Sequence, residues 1–305
     1  MTNKKLLKGI KQIGALFKET FGEFINDNAL KLSAALSYYT IFSLPALLII
    51  VTSLCGLYFG PNAINGELYG QIKDLVGSDA ALQIQDMVKN VHLSTHSTFA
   101  TITGVVVLII GASGIFAEIQ DSINYIWGIK AKPKRGFIRF LMNRLMSFSM
   151  IASVGFLLLV GLIISSLMEI INNKLLLYFP SEKVSLYYLI NIFSLFILIT
   201  LLFIVIFKIL PDGKIAFRDS LLGAAFTALL FMGGKFLIGA YIGSTNIASI
   251  YGAAGSIILI LAWVYYSAII LYFGAEFTKV YSKMFGKKII PNQYTVLIPK
   301  FEGNL

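Results

Sequence analysis

The chain has 305 residues, of which 57% are hydrophobic and 13% charged, with a net charge of +10 and a mean hydropathy of +0.80. Soluble domains are roughly half apolar and a quarter charged; here the excess apolar residues fall in long uninterrupted runs, the pattern of membrane helices and not of the alternating strands of a β-barrel. The lone cysteine, Cys55, excludes an intramolecular disulfide and a Cys-rich metal site.

Residues 4–27 come first. Leu6, Ile10, Ile13, Phe17, Phe21 and Phe24 recur at spacings of three and four, with Lys4, Lys8, Lys11 and Lys18 away from them. That spacing predicts an amphipathic helix on the membrane surface, its lysines toward anionic headgroups; the alternative is a helix packed on the rest of the protein. No signal-peptide pattern opens the sequence, so the first membrane helix is expected to serve as its own insertion signal.

Six spanning segments follow, at about 32–59, 98–119, 141–168, 185–208, 216–242 and 250–278, each near or above the ~20 residues that a crossing needs. Pro45 is expected to kink the first, with Ser43 or a neighbouring helix serving the freed carbonyl. Between the first two spans, residues 60–97 read as two short helices over the outer mouth, split at Gly77 with Ser78 as cap. The Pro211–Gly213 stretch reads as a tight turn. The expected fold class is therefore all-α: one polytopic membrane domain over 1–285, with a cytoplasmic tail at 286–305.

Charge sets the expected orientation. The N-terminal stretch, the 2–3 loop (Lys130, Lys132, Lys134, Arg135, Arg139, Arg144), the 4–5 loop (Lys208, Lys214, Arg218) and the C-terminal tail (Lys279, Lys283, Lys287, Lys288, Lys300) hold nearly all basic residues. The opposite side has Lys73, Lys89, Lys174 and Lys183. The positive-inside rule then places both termini in the cytoplasm. This distribution also accounts for the basic loop at 130–140 without nucleic acid, for which no folded module is present. No phosphate-binding loop occurs. His92 and His96 are two imidazoles without further ligands, too few for a metal site, so neither metal nor cofactor is expected.

The last span carries a stripe of Gly252, Ser256, Trp263, Ser267 and Gly274. Small residues let a neighbouring helix approach closely, and a Trp at mid-depth needs protein around it. On the fifth span, Ala224, Ala228, Phe231, Lys235 and Gly239 share a face, which puts the ammonium of Lys235 on the small-residue side; a snorkelling lysine is the alternative. Lys235, Trp263, Tyr241, Tyr266, Ser256 and Ser267 are the candidate intramembrane site. Glu276 lies three residues from Lys279, an interfacial ion pair or a proton- or cation-handling acid. Glu118, Asp121 and Asn124, followed by Trp127, leave the second span at similar depth and are expected to join Glu276 in a cytoplasmic polar cluster.

The stretches AALSYYTIFSLPALLII (34–50), EIQDSINYIWGI (118–129), LPDGKIAFRDSLLGAAFTALLF (210–231), KFLIGAYI (235–242) and YGAAGSIILILAWVYYSAIILYFGAEFTKV (251–280) resemble the YihY/BrkB family of bacterial inner-membrane proteins. Tyr38, Ser43, Pro45, Asn124, Trp127, Pro211, Gly223, Lys235, Tyr241, Tyr251, Gly252, Gly255, Trp263, Tyr265, Gly274 and Glu276 fit its pattern. The resemblance implies a six-helix protein of the bacterial cytoplasmic membrane. Members have carried the label ribonuclease BN, and one branch has been connected with export of lipid A precursors; no catalytic residue comes with it. The expected function is transport or handling of a lipid or amphiphile, with membrane lipids as partners. The alternatives are a non-catalytic envelope scaffold and, less favoured, a ribonuclease, for which the inner carboxylates Asp27, Glu118, Asp121, Asp212, Asp219 and Glu276 are too scattered.

Overall fold

A computed structural model describes residues 2–41, 82, 114–131, 184–244, 253–292 and 295–298. The span at 141–168, Cys55, Pro45, most of the first two spans, the helices expected over 60–97, His92 and His96, and the side chains of Tyr241 and Ser256 lie outside the described residues. The elements, in chain order, are α1 (Thr2–Asn26), α2 (29–41), α3 (114–126), β1 (Ile129–Ala131), α4 (Val184–Ile209), β2 (Gly213–Lys214), α5 (Phe217–Ser244), α6 (Ala253–Met284), β3 (Ile290–Pro291) and β4 (Thr295–Leu297). The described residues are mostly helical. Among the described residues, three stretches are long and apolar enough to cross a membrane: Leu189–Ile209, Phe217–Ala240 and Ile257–Met284. They match the expected fourth, fifth and sixth spans, but α6 runs beyond residue 278 because its charged last turns dock on α1.

The spans show the inverted surface of a membrane protein. Phe193, Leu229, Phe236 and Leu237 are open, while Ala224 and Ala228 are fully buried. With hydrocarbon as solvent, bulky apolar side chains gain little by turning inward, so the inner faces are free to carry small residues. Helix α2 follows the same logic: Ala29, Ser33, Ser37 and Thr40 face inward while Leu30, Tyr38 and Tyr39 are exposed. Each buried hydroxyl donates to the carbonyl four residues back, Ser33 to Ala29, Ser37 to Ser33 and Thr40 to Leu36, at 2.8, 2.9 and 2.7 Å, so none needs water.

The α5–α6 pair fixes the bundle. Gly223 lies against Thr278, Gly274 against Thr227, and Gly234 against the hydroxyl of Tyr266. The numbers rise along one helix as they fall along the other, so the helices are antiparallel. A Cβ on Gly223 or Gly274 would strike the facing threonine. Both threonines keep their hydroxyls on their own helix, Thr227 donating to Gly223 O at 2.7 Å and Thr278 to Gly274 O at 2.6 Å. Two Gly-x-x-x-Thr motifs thus interlock, each glycine receiving the other helix's threonine. Helix α4 packs on α5's other flank, with Phe203 edge-on to Phe231 at 6.1 Å.

Helix α1 is amphipathic, as expected, but its packing face is rotated from the apolar stripe. Leu16, Thr20, Phe24 and Asp27 are buried against α6, whereas Ile13, Phe21 and Ile25 remain exposed. Phe24 meets Phe273 edge-on, and Phe17, itself partly open, touches Phe226 and Phe277. The stripe is wider than one helix can cover, so its far flank stays apolar and open. Asn28, with a φ of 52°, separates α1 from α2; asparagine tolerates this left-handed conformation, and its carbonyl accepts the N–H groups of Lys31 and Leu32.

Two short antiparallel ladders close one end of the bundle. β1 pairs with β4 and β2 with β3. Residues 290–291 and 295–297, within the stretch read as a tail, thereby fasten the α3 exit and the α4–α5 turn together. Gly128, at a φ of 67°, ends α3, and its carbonyl receives the N–H of Ile298 at 2.8 Å.

The interlock sets the first prediction. Gly223→Val or Gly274→Val should cost ~1–3 kcal/mol by overpacking, seen as a lower unfolding temperature of the purified protein in detergent. Gly233→Ala, where a Cβ meets nothing within 4 Å, should be neutral or slightly stabilising.

Candidate functional site

Two polar clusters lie at the β-strand end of the bundle, on different elements. The first is built around Asp212, which the tight turn places at the end of α4. Asn124 Nδ2 donates to Asp212 Oδ2 at 3.0 Å, Gln120 Nε2 to Oδ1 at 3.3 Å, and the Asp212 N–H donates to Asn124 Oδ1 at 2.8 Å. The Asp212 carbonyl receives the Thr295 hydroxyl at 3.0 Å and the Asn292 N–H at 2.9 Å. Two side-chain amides serve this buried carboxylate, a hydroxyl and a backbone N–H serve its main-chain carbonyl, and together they tie α3, the α4–α5 turn and the C-terminal segment into one knot. Trp127 extends the anchorage: its buried indole donates to Ala275 O at 3.2 Å.

The second cluster joins α1 to α6. Glu19 and Glu23 on α1, and Asp27 in the turn just past its end, follow one another at spacings of four, facing Lys283 and Lys279 at the same spacing on α6. Lys283 Nζ pairs with Glu19 at 2.9 Å in solvent, its side chain 64% exposed. Lys279 is enclosed, and its Nζ donates to Glu23 at 2.6 Å, Glu276 Oε2 at 2.9 Å and Asp27 at 3.2 Å. Glu276 is 0% exposed, Asp27 is 5% exposed, and Glu23 is partly open. The three carboxylates each offer an oxygen within 4.8 Å of the other two.

The expected cytoplasmic cluster is thus divided. Asn124 belongs with Asp212, and Glu276 with Lys279, Glu23 and Asp27. Glu118 is half-buried and receives the Ser122 hydroxyl at 3.4 Å, while Asp121 is exposed. Of the intramembrane candidates, Trp263 and Tyr266 pack with Ile238 and Leu259, one turn from Lys235. Trp263 also meets Phe231 edge-on at 6.3 Å. Ser267 donates to Trp263 O at 2.9 Å. Lys235 is partly exposed, with Nζ 5.4 Å from the Phe236 ring centroid. Missed in the sequence were the α1 acids as partners of α6, although their four-residue spacing marks one helical face, and the roles of Gln120, Asp212 and Thr295, which carry no local signal.

Residues 20–293 match the family model described as Virulence factor BrkB, and the chain belongs to that family. Among its relatives, a UPF0761 membrane protein of Pseudomonas aeruginosa (strain LESB58) is 28% identical over 254 residues, covering 83% of this chain and 59% of the relative. The chain therefore spans under two thirds of that longer protein. UPF0761 membrane proteins of Psychromonas ingrahamii and Haemophilus influenzae are 28% and 25% identical, covering 83% and 88% of this chain and 82% and 94% of theirs. No solved structure matches.

The two lysines of α6 should separate cleanly on mutation. Lys283→Ala removes an exposed pair and should cost ~0–1 kcal/mol. Lys279→Met leaves three clustered carboxylates without their shared ammonium and should cost ~3–5 kcal/mol, measured by unfolding in detergent. Asn124→Leu, which strips two hydrogen bonds from Asp212, should cost ~1–3 kcal/mol and speed proteolysis within 287–298.

Proposed function

We propose that this member of the BrkB family is a six-span protein of the bacterial cytoplasmic membrane, both termini inside, that transports or handles a lipid or other amphiphile and catalyses no covalent chemistry. The observation that carries the reading is Lys235. It is a cation on a membrane-span helix, partly exposed, beside the open side chains of Phe236 and Leu237. Intramembrane charge is costly and is retained where it meets a ligand, a partner or a wet path. Here the ammonium can meet an anionic headgroup while neighbouring apolar side chains accept the chain. Trp263 and Tyr266 form the adjoining wall, with the Tyr266 hydroxyl seated over Gly234.

Helix α1 supports the same reading. Its open Ile13, Phe21 and Ile25 lie beside the exposed Lys11 and Lys18, the pairing of apolar and basic groups that binds an anionic leaflet. The long apolar runs support six crossings, and the basic-residue asymmetry of the loops supports cytoplasmic termini.

Lys235→Met should reduce movement of labelled anionic lipid between the leaflets of reconstituted vesicles at least tenfold while leaving the unfolding temperature unchanged. Equal rates for the two proteins would remove Lys235 from the function. Reporter fusions near Pro133 should read as cytoplasmic and near Asp86 as external; the reverse pattern would overturn the topology.

A further inference from the structure

In the cluster between α1 and α6, three carboxylates share the ammonium of one lysine. An ammonium has three N–H donors, and Lys279 spends one on each of Glu23, Asp27 and Glu276 Oε2. No donor remains for Glu276 Oε1. That oxygen is buried, and no group among the described residues donates to it. The other lysine of this face, Lys283, is committed to Glu19. Three carboxylates thus converge on one cation, and the acid with the unserved oxygen is the one wholly enclosed by protein. Like charges held this closely in a medium of low dielectric repel strongly, and an unsatisfied buried acceptor adds its own desolvation cost.

We propose that Glu23, Asp27 and Glu276 bind one exchangeable small cation, a proton or a hard metal ion, at Glu276 Oε1 beside the Lys279 ammonium. Both sources share the chemistry that the site lacks, a positive charge small enough to fit between carboxylate oxygens. Oxygen-only donors suit a proton shared between carboxyls, or an ion such as Na⁺ or Ca²⁺. Glu23 is partly open, with its side chain 31% exposed, and supplies the route of exchange with solvent. Because Glu23 comes from α1, Asp27 from the turn that ends it and Glu276 from α6, the bound cation strengthens the hold of the amphipathic helix on the span. This site is separate from Lys235 and stands without it.

The test uses the full chain purified in detergent, as wild type and Glu276→Gln, a substitution that keeps the shape and removes the charge. If a proton is held, the infrared spectrum of the wild type near neutral pH contains the carbonyl stretch of a buried protonated carboxyl, and Glu276→Gln loses that band. If a metal is held, Na⁺ or Ca²⁺ added at constant ionic strength raises the unfolding temperature of the wild type saturably, and the variant's response is lost. Asp27→Asn, which leaves Glu276 in place, should weaken the response at least tenfold and covers the case in which Glu276→Gln does not fold. Lys235→Met should keep the full cation response, which separates this site from the lipid reading. A wild type with neither the infrared band nor a saturable response to either ion overturns the proposal.

Discussion

The arrangement depends on the close pass of α5 and α6. In hydrocarbon there is no hydrophobic gain from burying one apolar helix against another, so contact must come from shape. The reciprocal Gly-x-x-x-Thr insertion supplies it, and it fixes both the rotation and the height of α6. At about 100° per residue, Gly274 and Glu276 face nearly opposite sides of α6. Once Gly274 is set against Thr227, Glu276 and Lys279 are presented to α1. Between these faces, the Ala275 carbonyl receives the Trp127 indole. One helix thereby organises three neighbours within a little more than a turn.

Much of this was legible in the sequence, for physical reasons. Long apolar runs marked three of the spans, the fourth and fifth to within a few residues and the sixth about two turns short of its C-terminal end, and the three-and-four spacing of Ile13, Phe17, Phe21 and Phe24 marked α1. The Gly274 stripe signalled a protein-facing side of α6. Other features are not local. The ladders are two and three residues long, too short for any alternation to show, and they join segments far apart in the chain. The threonines that fill the glycine notches look in the sequence like any other polar residues of a span.

The candidate site was half legible. Glu118, Asp121 and Asn124 are spaced by three, which looks like one face but drifts by about 60° at each step. Glu118 and Asn124 therefore fall at opposite edges of the buried side of α3, while Asp121 points outward. Depth alone grouped Asn124 with Glu276; rotation separates them. The acids of α1 were hidden for the converse reason. On an isolated amphipathic helix they read as a solvated edge, and only the docking of α6 turns that edge inward.

The two clusters show how similar residues acquire different roles. Asp212 is a single carboxylate among amides, a hydroxyl and backbone N–H groups, with donors on both carboxylate oxygens. The knot holds elements of distant sequence together. Around Lys279 three acceptor groups share one ammonium, and the most enclosed of them keeps an oxygen that receives no hydrogen bond from the described residues. A buried oxygen without a donor costs stability. Such an oxygen, placed where an amphipathic helix meets a membrane span, is therefore better explained by what the site binds than by what it holds together.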